Sequence, residues 1–339
     1  MKLLKGLVLA VALVAAIVIG LGFALPGTAR LERSIEINSP PATVFVVLNS
    51  FKRFQEWSPW KKYDPAALVT NSGPESGVGA KSTWISAETG DGSQEIIASK
   101  PYEQIDIKLT FSGFENDTYL ATYRLQPVGA TATRVTWTFD AQYTSMLGRY
   151  FGLLTDAMLG PDYEEGLANL KTLVETLPSV DFSKLNVSAT EVKAQTLAYV
   201  SGTTTTDVTD IGTAYAVAYS KVLAYTQKHK LRPAGAPVSI ARKWDEKEKI
   251  HEYDAGVPVE SAPAGNEGEV RIQSTYAGKA LKVVYQGAYK DMGPTYDALF
   301  AYAAVYGYTQ NANLWEEYVN DPASTPESDL ITNIYFPIK

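Results

Sequence analysis

The clearest pattern in the chain begins at Leu31. Leu31, Arg33, Ile35 and Ile37 alternate with Glu32, Ser34, Glu36 and Asn38, the period of a strand with one buried side. Pro40 and Pro41 close that strand and open a short helix through Val44, Phe45, Val47 and Leu48, because proline suits a first helical turn. From Val69 to Phe139, turn signals at Asn71-Ser72-Gly73-Pro74, Gly90-Asp91-Gly92 and Val128-Gly129 separate runs rich in Thr, Trp, Ile and Tyr. This predicts an antiparallel meander. A helix is then predicted from about Met146 to Leu177, its later half carrying Leu167, Leu170, Val174 and Leu177 on one side. Gly160-Pro161 is expected to break or kink it, since proline removes a helical donor.

Residues 179–196 read as a polar connector. Beyond it the chain repeats itself. Leu197-Ala198-Tyr199-Val200-Ser201-Gly202 parallels Lys282-Val283-Val284-Tyr285-Gln286-Gly287, and a helix follows each. The first helix sets Ile211, Tyr215, Ala218, Val222 and Tyr225 on one face, the second Met292, Tyr296, Leu299, Ala303 and Tyr306. Two strand-like runs follow each helix: Pro237–Trp244 and Ile250–Glu260, then Leu314–Val319 and Leu330–Ile338. The unit β-α-β-β is used twice. Two such halves joined back to back or edge to edge, with their helices on one side, would leave a concave seam.

Leu7 to Leu25 is an uncharged run of 19 residues. As a helix it would span about 28 Å, near the thickness of a bilayer core. Lys2 and Lys5 precede it and point to an N-terminus held in the cytoplasm. Residues 1–30 are therefore expected to be a transmembrane anchor carrying extracytoplasmic soluble domains. The alternative is a signal segment cleaved near Ala29, which leaves a secreted or periplasmic protein.

Leu31 to Ile37, the Phe54…Trp57-Ser58-Pro59-Trp60 stretch, Gly77-Val78-Gly79-Ala80 and Glu165-Gly166-Leu167-Ala168-Asn169-Leu170-Lys171 resemble the polyketide cyclase/dehydrase group of the START-like (SRPBCC) superfamily. The resemblance covers residues 31–178 and implies a helix-grip domain, with a cavity for an apolar ligand between sheet and long helix. Gly287-Ala288-Tyr289, the helix with Tyr296 and Leu299, Trp315-Glu316-Glu317-Tyr318 followed by Asp321-Pro322, and Thr332-Asn333-Ile334-Tyr335-Phe336-Pro337-Ile338 resemble the GyrI-like small-molecule-binding domain. That module is also the effector-binding domain of certain bacterial transcription activators. Gly256-Val257-Pro258-Val259 fits the same pattern in the first repeat; the resemblance covers roughly residues 184–339, within a domain taken as 179–339. The fold class read from the sequence is α+β: a helix-grip START-like domain, then a duplicated β-α-β-β GyrI-like domain.

Composition narrows the chemistry. The chain has no cysteine and two histidines, His229 and His251, which excludes thiolate zinc, iron–sulfur and cysteine-nucleophile sites. A net charge of −7 argues against a nucleic-acid partner, which needs a basic footprint. No cofactor or metal motif is present: Gly73 to Gly79 is glycine-rich but lacks the Lys-Ser/Thr end of a phosphate loop. His229, between Lys228 and Lys230, reads as a solvated helix end, and His251 as exposed on a polar strand. Tyrosine is concentrated beyond residue 198, with 14 of 21, and offers flat apolar area, a quadrupole for cations and a polar tip.

On a strand, Glu316 and Tyr318 share one face, with Trp315 and Glu317 on the other. The GyrI-like resemblance implies that Glu316 faces a pocket, and Glu317 is then expected to face solvent. Candidate wall residues are Tyr199, Tyr215, Tyr285, Tyr289 and Tyr296, with Trp244 and Trp315 at the mouth. In the first domain, Trp57, Trp60 and Trp84 are candidates to line a cavity; core or lid packing is the competing reading. The function expected is a membrane-anchored small-molecule-binding protein, with an apolar ligand in the first domain and an aromatic or cationic one in the second. One alternative is a cofactor-independent hydrolase of small electrophiles with Glu316 as general base. Another is a membrane-tethered protein-interaction module with an unidentified partner. No helix-turn-helix or basic region precedes the second domain, so a regulatory role does not follow from the resemblance.

Overall fold

A computed structural model describes residues 13, 19–129, 131–260 and 266–339. The chain divides into two compact units, Met1–Asp181 and Phe182–Lys339. Most of the apolar run at 7–25 lies outside the described residues. Among those described, no helix is long and apolar enough to cross a membrane.

The first unit is one antiparallel sheet wrapped on a long helix. Its strands are β1 (Thr28–Ile37), β2 (Leu68–Ser72), β3 (Lys81–Ile85), β4 (Gly92–Lys100), β5 (Gln104–Phe111), β6 (Thr118–Val128) and β7 (Ala132–Gln142). Their order in the sheet is β1-β7-β6-β5-β4-β3-β2, so β2 to β7 form the meander and β1 returns to pair with β7. That pairing runs from Thr28 opposite Gln142 to Ile37 opposite Thr133. Helix α1 (Pro41–Leu48) starts on Pro41 as its first residue, where the missing N–H has no helical partner to lose.

Helix α2 (Met146–Val174) is capped by Ser145, whose hydroxyl accepts from the Gly148 amide. It buries Tyr163, Leu167, Leu170 and Val174, the spacing that the sequence shows. The break expected at Gly160-Pro161 does not occur: Pro161 sits inside a continuous helix. Arg33 of β1 spans the turn that holds the proline. Its guanidinium reaches Asp156 at 2.8 Å and Glu164 at 2.7 Å, on either side of the proline. Gly160 makes room for it, because a Cβ there would lie 2.6 Å from Arg33 Nη2.

The second unit is a single sheet of eight strands: β8 (Val187–Val192), β9 (Thr196–Thr204), β10 (Val238–Asp245), β11 (Ile250–Val259), β12 (Arg271–Ser274), β13 (Gly278–Gln286), β14 (Trp315–Tyr318) and β15 (Ile331–Pro337). Helix α3 (Val208–Lys228) belongs to the first repeat and α4 (Gly293–Tyr306) to the second. The order β12-β9-β11-β10-β14-β15-β13-β8 reads as two mirrored halves joined edge to edge at β10 and β14. Each repeat lends a strand to the other. Strand β8, ahead of the first repeat, pairs with β13; β12, ahead of the second, pairs with β9. Part of the segment read as a connector is therefore strand β8. As a half-exposed edge strand it carries little hydrophobic signal.

Register fixes which side chains share a face. Across the sheet, Val200 opposes Ala255, Ala255 opposes Ser239, Ser239 opposes Glu316, Glu316 opposes Ile334, and Ile334 opposes Val283. Both helices cover that face. Ala218 and Val222 of α3 pack with Val200, Ala255 and Val257; Leu299 and Ala303 of α4 pack with Leu281, Val283, Ile334 and Phe336. The apolar row is interrupted at its centre by Ser239 and Glu316, between the two helices.

Candidate functional site

Above that interruption lies a cavity of about 1400 Å³. Tyr215 and Tyr219 from α3, Tyr296 and Phe300 from α4, Tyr289 ahead of α4, and Glu316 and Tyr318 from β14 border it. Glu316 is at its floor. Tyr296 donates its phenol hydrogen to Glu316 Oε1, and Tyr318 donates to Oε2 at 2.5 Å. Glu316 keeps partial accessibility, and it borders the cavity. Burial pushes its carboxyl above the ordinary carboxylate range, while the two phenol bonds pull it back. The phenols of Tyr296 and Tyr318 are raised well above their usual value, by burial first and then by the Glu316 charge. They remain protonated donors at neutral pH. This is a carboxylate held by two hydroxyls in a largely apolar site, with ring edges close by: Tyr289 meets Tyr318 at 5.6 Å and Tyr215 meets Tyr318 at 6.4 Å between centroids.

The floor continues onto the first repeat. Ser239 donates to the Tyr215 hydroxyl at 2.5 Å, and Tyr215 Oη lies 2.8 Å from His251 Nε2. His251 is 3% exposed, which corrects its reading as an exposed strand residue. It shares a sheet face with Tyr253 and Ala255 and borders the cavity beside Trp244. Its neighbours Glu252 and Lys249 give the segment a polar look, but only the inward side of the strand decides burial. Burial holds the imidazole below its ordinary value, with the Lys243 carbonyl acting the other way.

The rim is unevenly charged. Arg242, Lys243 and Lys290 reach it, and each lies against a carboxylate: Arg242 near Glu252 and Asp254, Lys243 near Asp245, Lys290 near Glu327. Asp297 and Asp321 also reach the rim and make no ion pair among the described residues.

Other candidates are placed elsewhere. Tyr199 opposes Gly256 on the face away from the helices and does not border the cavity; a one-residue step along the strand reverses the side chain. Tyr285 is on the helix face but packs into the α4 core and donates to the Ala288 carbonyl. Trp315 is turned to the outer face, stacked on Tyr335 with centroids 4.7 Å apart, so it is not at the mouth. Glu317, on that outer face, is half-buried rather than solvated, accepting from Asn333 at 2.8 Å and Tyr335 at 3.1 Å. Trp57 and Trp60 are close-packed. Trp57 is 2% exposed, and both rings meet Trp137 edge-on at 5.8 and 5.6 Å, while Trp137 stacks on Tyr163. They fill the space between sheet and helix instead of lining a cavity. Trp84 lies over Gly92, donates to the Gly90 carbonyl and borders a hollow of about 320 Å³ at strands β3–β5.

Residues 28–175 match the family of polyketide cyclase/dehydrase and lipid transport proteins, and residues 185–339 match the GyrI-like small-molecule-binding domain. The chain therefore carries these two domains in that order. No curated protein matches it. Among solved structures it is similar to the C-terminal domain of EcmrR, at 17% identity over 46% of this chain and 98% of that one, with a TM-score of 0.42. It is also similar to a hydrolase from Listeria innocua (13% identity, 45% and 92% covered, TM-score 0.35) and to a truncated norcoclaurine synthase from Thalictrum flavum (12%, 43% and 93%, 0.34).

Proposed function

We propose that the protein is a membrane-tethered small-molecule binder whose C-terminal domain takes a flat aromatic cation in the seam cavity. Glu316 carries this reading. A buried carboxylate is costly unless a cation or hydrogen bonds compensate it. Two phenols supply the hydrogen bonds, and the open cavity leaves the place for the cation. Tyrosine rings give the flat apolar walls such a guest prefers. The rim adds Asp297 and Asp321, against cations already paired.

The test is a fluorescence titration with a flat aromatic cation and its neutral isostere. The cation should bind at neutral pH and the isostere at least tenfold more weakly. Cation affinity should stay level above the folded-state pKa of Glu316 and fall as pH drops through it. Equal affinity for both compounds at every pH would sink the reading.

Some GyrI-like proteins, which this domain resembles, act as hydrolases with a pocket glutamate as base. Here both oxygens of Glu316 already accept from phenols, so a base acting on water would first have to give up one of those bonds. In the N-terminal domain the family match supports a ligand-binding role, but an apolar guest beneath the sheet would have to displace Trp57 and Trp60. The tether rests on the uncharged run 7–25 behind Lys2 and Lys5. Alkaline extraction of membranes should leave the full chain in the pellet; release into the supernatant would remove the tether.

A further inference from the structure

The two repeats furnish the cavity floor with equivalent positions and different chemistry. Tyr215 of α3 and Tyr296 of α4 occupy the same place in their repeats. Ser239 and Glu316 face each other where the repeats join. In the second repeat the helix tyrosine bonds to Glu316; in the first it bonds to Ser239. The acid of one half is a serine in the other.

Hydrogen positions on this floor follow from elimination. His251 Nδ1 lies 3.3 Å from the Lys243 carbonyl. A carbonyl only accepts, so Nδ1 carries the hydrogen. Burial keeps the ring neutral, so Nε2 is an acceptor and Tyr215 donates to it. The hydrogen between Tyr215 and Ser239 then comes from Ser239. Tyr219 spends its hydrogen on the Val238 carbonyl, and Tyr296 and Tyr318 spend theirs on Glu316. Ser239, Tyr215, Tyr296 and Tyr318 thus have no hydroxyl hydrogen left for a guest. Each oxygen retains acceptor capacity, as do both oxygens of Glu316. Tyr289 alone of the cavity tyrosines makes no side-chain hydrogen bond among the described residues.

We propose that the seam cavity selects cations carrying N–H donors, namely primary or secondary ammonium, amidinium or guanidinium groups on an aromatic body, over quaternary cations. This rests on the binding reading given above. Ser239 Oγ and Tyr215 Oη form a second set of acceptors beside Glu316, so one cationic head can donate to both halves of the seam. An aromatic cage would favour a quaternary head through ring faces. Here the tyrosines turn hydroxyl ends towards Glu316, and the charge meets oxygen. His251 acts at one remove, as a positioning residue: by accepting from Tyr215 it keeps that hydroxyl an acceptor towards the cavity.

The probes are 1-naphthylmethylammonium and its N,N,N-trimethyl counterpart, which share body and charge. Calorimetric titration of the full chain should give at least a tenfold preference for the primary amine. Ser239→Ala should reduce the preference to about threefold or less, and His251→Phe should reduce it as well, since Tyr215 can then turn its hydrogen inward. Both probes see the same folded fraction, so their ratio is unaffected by a partial loss of folding. Equal or tighter binding of the trimethyl compound to the wild type would overturn the proposal while leaving cation binding intact. Failure of both probes to bind would overturn the binding reading itself.

Discussion

Glu316→Gln is expected to weaken binding of an aromatic cation about a hundredfold, or roughly 2–3 kcal/mol. The neutral isostere should be almost unaffected. The size follows from where the carboxylate sits: Glu316 is only partly accessible and is bordered by tyrosine rings, so a bound cation meets its charge with less solvent screening than at the surface. Glutamine keeps the volume and one acceptor for Tyr296 or Tyr318, so packing is not what is tested.

The same substitution has an opposite effect on the empty protein. The folded-state pKa of Glu316 is raised by burial. Stability associated with its protonated form is fully present below the unfolded value near 4.5 and is lost as pH rises through the folded value. At neutral pH the unliganded wild type carries that cost and Glu316→Gln does not. Thermal unfolding without ligand should show the variant at least as stable as wild type. A variant that lost affinity and stability together would indicate a purely structural glutamate.

The second large effect is in the N-terminal domain. Trp57→Ala should cost about 3–5 kcal/mol, the range for removing a large aromatic from a packed core. Trp57 is enclosed by Phe54 at 4.9 Å, Trp137 at 5.8 Å and Tyr123 at 6.2 Å. Trp57→Phe should cost much less. The indole N–H of Trp57 is buried and has no partner among the described residues, so phenylalanine forfeits ring volume but no hydrogen bond. Urea denaturation followed by circular dichroism checks the pair. Similar small losses for both would mean that the cluster is loosely packed and that Trp57 borders a cavity after all.

Strand and helix periodicity carried most of the architecture. The alternation at Leu31–Ile37 and the face of Leu167, Leu170 and Val174 were visible because burial follows the period of the element. The duplication was visible because each repeat must build the same buried face. Strand β8 was not, since an edge strand buries little. Pro161 read as a break because a proline is judged locally, whereas the helix here continues through it to Val174.

Within the site, Glu316 and Tyr318 could be paired from strand geometry, and Tyr215 and Tyr296 from helix faces. Tyr199 and Trp315 fell on the wrong side because aromatic content does not say which face a strand turns inward. His251 was missed for a related reason. Its polar neighbours Glu252 and Lys249 point outward, and the signal that could have found it is its alternation with Tyr253, Ala255 and Val257. The exchange of β8 and β12 between repeats leaves no local mark, because pairing partners are chosen by the tertiary fold.

The most direct test of cation binding against Glu316 is one comparison: affinity of the same aromatic cation for wild type and for Glu316→Gln, at neutral pH and again below pH 4.5. The two proteins should differ about a hundredfold at neutral pH and converge at low pH, where wild-type Glu316 is protonated and resembles the glutamine. Equal affinities at neutral pH, or a gap that persists unchanged at low pH, would contradict a charge-based role for Glu316.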